Sequence, residues 1–112
     1  MRGIKALVIK GVCMKIMRKL YDQCMEELDG VIEYSNCATS CRDNQDLVKM
    51  YTSMAKQELE HAQTLHNMSK RLAESKINEK VDPMLMELWE EMEQTKIDKM
   101  ALARAYVMNV EG

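Results

Sequence analysis

From about Val12, apolar residues recur at alternating spacings near three and four: Met14, Met17, Tyr21, Cys24, Leu28, Val31 and Ala38. That period is one face of an α-helix and predicts a first helix over about 12–41. The run Arg42–Asp43–Asn44–Gln45–Asp46 interrupts it, since Asp43 and Asn44 suit a tight turn and Asp46 can cap the next helix. A second stripe, Leu47, Tyr51, Met54, Leu65, Met68 and Leu72, predicts a helix over about 46–78. The third begins most clearly, with Asp82 as N-cap and Pro83 in the first turn, where a missing N–H costs nothing. It is expected to span about 83–110, with Leu85, Leu88, Met92, Ala103 and Tyr106 turned to the core. Residues 1–11 fit a frayed helix start, an arm or a short strand.

Composition supports an all-α chain. Of the 112 residues 46% are hydrophobic, yet that share holds twelve Met, one Trp and no Phe. Methionine favours helices and packs adaptably, whereas the residues that suit strands are scarce. One Pro and four Gly offer little resistance to long helices. The short connection after the first helix predicts an antiparallel hairpin, and the whole reads as one helical domain.

Within the second stripe sit two residues that do not belong to a purely apolar face. At 100° per residue, Glu58 and His61 share a face with Met54 and Leu65. A carboxylate and an imidazole in a hydrophobic seam are costly unless something binds them. The i, i+3 pair Glu-x-x-His is also what a di-iron site draws from one helix of a four-helix bundle. Two divalent cations held close together repel, so carboxylates from neighbouring helices must neutralise them. On the first helix Glu27 lies at the margin of the apolar stripe beside Cys24, Val31 and Tyr34. Glu33 points away from Leu28 and Val31, so the face argument selects Glu27, although rotation of the helix about a dimer interface would reverse the choice. A bland reading also exists, in which Glu58 and His61 hydrogen-bond one another or a core tyrosine such as Tyr34 or Tyr51.

The segments Glu27–Ala38 (ELDGVIEYSNCA) and Lys49–His66 (KMYTSMAKQELEHAQTLH) resemble the helical hairpin of rubrerythrin-type members of the ferritin-like superfamily. The match lies in a Glu seven residues before a Tyr (Glu27, Tyr34), then Glu-x-x-His followed by Ala and Leu (Glu58, His61, Ala62, Leu65). It covers roughly residues 25–72. The resemblance implies a non-haem di-iron centre, with manganese as the alternative metal, and ferroxidase or oxygen- and peroxide-reducing chemistry. It implies Glu27, Glu58 and His61 as ligands, with Tyr34 and Tyr51 behind them as hydrogen-bonding support. Full-length members carry a second Glu and a second Glu-x-x-His. Here the third helix offers Glu87, Glu90, Glu91 and Glu93 without a histidine. Glu90-x-x-Glu93 could imitate the motif, but both lean away from the Leu85–Leu88–Met92 stripe and read as a solvated face. The closest analogy is a short ferritin-like chain, of the kind found in protein compartments, whose four-helix bundle and metal site are completed by homodimerisation.

Charge and cysteine usage refine this. A net charge of −2 lacks the basic excess of a nucleic-acid binder. Arg2, Lys5, Lys10, Lys15, Arg18 and Lys19 all precede the first acid, Asp22, and could meet a protein partner or a membrane surface, or simply form a solvated face. Lys5 and Lys10 interrupt the opening apolar run, which does not read as a signal peptide, and no stretch approaches the ~20 apolar residues of a membrane span. A cytoplasmic protein with reduced thiols is expected. Cys13 and Cys24 fall on the first stripe, and Cys37 with Cys41 could supply half a zinc site. His66 lies off the second stripe and is expected at the surface. The rival to a metalloprotein is a helical assembly or adaptor protein, virus-associated or otherwise, that keeps the hairpin with a vestigial or absent metal site.

Overall fold

The computed structural model describes the backbone of residues 2–75 and 83–112, and the side chains of residues 15–74, 83–84 and 86–112. It is all-helical over those residues: α1 (Arg2–Ser40), α2 (Gln45–Ser75) and α3 (Pro83–Glu111). The three lie side by side in a rod of 65 × 18 × 16 Å. Lys99 of α3 pairs with Asp29 of α1, while Lys56 and Gln63 of α2 meet Glu111 and Arg104 of α3. Those pairings make α1 and α3 parallel and α2 antiparallel to both.

The first helix starts at Arg2, well before the expected position 12, so the opening residues continue the helix. No proline precedes Pro83, and Gly3 and Gly11 cost only about 1 kcal/mol each in a helix interior. The cap of α2 also differs from expectation: it is Asn44, whose Oδ1 accepts from Leu47 N at 3.2 Å, with Asp46 inside the first turn. Asn44 N in turn donates to Cys41 O at 2.8 Å, closing the link between α1 and α2. The expected Asp82 cap and the side chains of Cys13, Met14 and Leu85 lie outside the described residues.

The α1 stripe is core as expected: Met17, Cys24, Leu28, Val31 and Ala38 are buried. On α2 the centre of the buried face is instead Ala55, Ala62 and Ser69, at seven-residue intervals, and the larger residues flank it. Met68 is 45% exposed. On α3, Lys96, Met100, Ala103 and Val107 are buried, whereas Leu88, expected in the core, is 44% exposed. The reason is steric. A seam of Ala, Ser and Cys lets helix backbones approach closely, and bulkier residues then wrap the edges. Ser69 Oγ satisfies itself on Leu65 O at 3.1 Å. Ala55→Leu should therefore overpack the hairpin and cost about 1–3 kcal/mol in urea denaturation. A variant as stable as the parent would mean that this seam is loose.

No helix over the described residues is long and apolar enough to cross a membrane.

Candidate metal centre

Glu27 comes from α1, Glu58 and His61 from α2, and the hairpin brings all three together. One ligand atom from each lies within 4.8 Å of the others. Among the described residues no other group of three or more His, Cys, Asp or Glu side chains is gathered in this way. The antiparallel packing sets the level, since Cys24 Sγ donates to Ala62 O at 3.4 Å, one residue beyond His61. Burial pushes the Cys24 thiol up from its ordinary value, and it stays a protonated donor. Glu33 is exposed and away from the group, as the face argument expected.

Within the trio the polar atoms are poorly satisfied. Glu27 Oε2 is buried and has no hydrogen-bond partner. Its distance to His61 Nδ1 is 3.6 Å, beyond a good hydrogen bond. Glu27 Oε2 is therefore not satisfied by a local hydrogen bond. Two carboxylates and an imidazole converging around an unsatisfied oxygen is a donor set suited to a divalent cation. Gly30 adds room: a Cβ placed there would stand 3.2 Å from Glu58 Oε2 and 3.4 Å from its Cγ. The sequence signal for this was present, an isolated glycine inside a helical pattern three residues after Glu27.

The trio is not in the interior, and the sequence-based expectation needs correcting there. Glu58 is half-buried, while the His61 side chain is 62% exposed and that of Glu27 28%. The small-residue seam at Ala55 and Ala62 occupies the centre of the stripe and rotates Glu58 and His61 to its edge. Half-buried Leu20, Met54 and Leu65 and exposed Met68 share that side of the hairpin. Tyr34 and Tyr51 stack on one another, with ring centroids 6.3 Å apart and planes at 23°.

His66 and Glu93 depart further from expectation. The His66 side chain is only 12% exposed and that of Glu93 14%. They face each other across the α2–α3 contact, His66 Nδ1 standing 3.9 Å from Glu93 Oε2. Glu93 also pairs with Lys96, which is 1% exposed. An acid committed to a buried lysine is a poor metal ligand, so Glu93 does not stand in for a missing Glu-x-x-His. Glu90 is exposed, as expected. The thiols of Cys24, Cys37 and Cys41 are free.

Comparison with protein-family models, with curated proteins and with solved structures gives no match to this chain.

Proposed function

We propose that the chain is a ferritin-like, non-haem iron protein whose di-iron centre forms where two copies meet, acting as a ferroxidase or as a reductant of oxygen or peroxide. The observation that carries this is the convergence of Glu27, Glu58 and His61 around a buried carboxylate oxygen that takes no hydrogen bond. Bundle di-iron sites use four carboxylates and two imidazoles, and one chain supplies half of that set. His61 is exposed and Glu27 and Glu58 lie half-buried at the edge of the core, so a second copy related by a twofold axis would supply the other half without disturbing that core. Iron or manganese bound there would supply electrons to oxygen or peroxide. The chain's own part is to hold the metal through Glu27, Glu58 and His61, to neutralise its charge, and to leave Glu58 space beside Gly30. Tyr34 and Tyr51, seven residues from Glu27 and Glu58 and stacked on one another, would stand behind the ligands.

A second reading, a helical adaptor, draws on apolar side chains elsewhere on the surface: Met84 is 76% exposed, Met108 70% and Leu102 50%. Such side chains suit a protein partner.

Crystals soaked in ferrous iron or manganese and measured for anomalous scattering separate the two. The metalloprotein gives metal peaks at Glu27, Glu58 and His61, with two Glu58 side chains approaching across a twofold axis. Absence of anomalous density at those residues, or a dimer formed through another face, removes the proposal and favours the adaptor.

A further inference from the structure

A second polar group lies at the junction of the helices, away from the proposed metal ligands. Lys96 is 1% exposed and its ammonium group donates to Glu93 Oε1. Glu93 Oε2 faces His66 from α2, and His66 Nδ1 is buried without a hydrogen-bond partner. A fully buried lysine is rare, and one partner leaves its charge poorly compensated. The group is also where α3 meets α2. Further along, the two helices are tied by exposed pairs, Arg104 with Gln63 and Lys56 with Glu111, which contribute little.

We propose that His66, Glu93 and Lys96 form a pH-sensitive latch that holds α3 against the hairpin at neutral pH and loosens it in mild acid. With His66 neutral, the docked cluster carries one cation and one anion. Protonating His66 would place a second cation near Lys96 in a largely buried site, with Glu93 as the shared anion. The remaining charges facing His66 are cationic as well, Lys70 on its own helix and Arg104 on α3. From α1 the group is faced by Cys24, which feels Lys96, Glu93 and Glu27, and whose raised thiol stays neutral throughout.

The direction follows from burial first and Lys96 second, which hold His66 below its ordinary value of 6.5. A base whose folded-state value is lowered contributes stability above its unfolded value, and that stability is lost as pH falls below it. The window therefore opens at about pH 6.5 and extends downward. While docked His66 resists the proton, each further pH unit lowers the docked-to-undocked ratio by up to about tenfold.

Trp89, the single tryptophan, lies half-buried on α3 and reports docking. Urea titrations of the full chain, followed by Trp89 emission and far-UV circular dichroism at pH 7.5 and 5.5, test the latch. Wild type should show the Trp89 transition moving to lower urea at pH 5.5 and preceding the loss of helicity. His66→Gln should lose most of that shift. Lys96→Met should shrink it, because the second-largest cause holding His66 down is removed while burial remains. A Trp89 midpoint insensitive to pH, an equal shift in His66→Gln, or an undiminished shift in Lys96→Met would each overturn the latch.

Discussion

Glu93→Gln is expected to destabilise the protein by about 3–5 kcal/mol, because it leaves Lys96 charged, buried and unpaired. The side chain keeps its shape, so lost packing does not account for the effect. Lys96 is 1% exposed and cannot turn its ammonium group to water without lifting Met100, Ala103 and Val107 of the same helix out of the core. The same reasoning gives the opposite result for the pair. Glu93→Leu with Lys96→Met removes both charges and retains bulk, and should recover most of the loss or exceed wild type, as apolar replacement of buried ion pairs often does. Urea denaturation of wild type, Glu93→Leu, Lys96→Met and the double variant closes a double-mutant cycle and measures the coupling directly. A Glu93→Gln loss below about 1 kcal/mol would place the pair with solvent-screened surface contacts, and the buried geometry of Lys96 would not hold in solution.

The helices were legible in the sequence because hydrophobic period, Pro83 and the Asp43–Asn44 turn all act locally. The α1 stripe was legible too, since Cys24, Leu28, Val31 and Ala38 are apolar residues at apolar positions. The faces of α2 and α3 were harder to read, for a shared physical reason. Close helix approach favours small side chains, so the true seam of α2 is Ala55, Ala62 and Ser69, while larger and more conspicuous residues lie at its edge. A stripe drawn through Leu, Met and Tyr was therefore rotated, which placed Glu58 and His61 too deep and His66 too far out. On α3 the centre of the stripe holds a lysine. Hydrophobic patterning cannot find a residue that is buried by virtue of an ion pair with Glu93, because the partner too looks like a surface residue. The meeting of Glu27 with Glu58 and His61 was readable for another reason: it depends on the level at which the hairpin closes, and the short turn after Ser40 leaves little freedom in that level.

Glu58→Ala with His61→Ala is expected to abolish iron retention, lowering affinity by more than the roughly 10–100-fold that loss of an outer-shell partner costs a metal site. Both side chains are at least half exposed or lie at the edge of the core, so helicity should be kept. Gly30→Ala is the more searching variant. Alanine in mid-helix should add about 0.5–1 kcal/mol of stability through propensity. Its Cβ would press on Glu58 at 3.2–3.4 Å, so the carboxylate must give by a few tenths of an ångström and leave its present place beside Glu27 and His61. Stability and metal binding then move in opposite directions, which general damage to the fold would not produce. Iron per chain after purification from iron-supplemented medium, with thermal unfolding of each metal-free variant, supplies both readouts. Iron still bound by the Glu58/His61 variant would locate the metal elsewhere. Gly30→Ala that gains stability and binds iron unchanged would show that Glu58 takes no part in holding it.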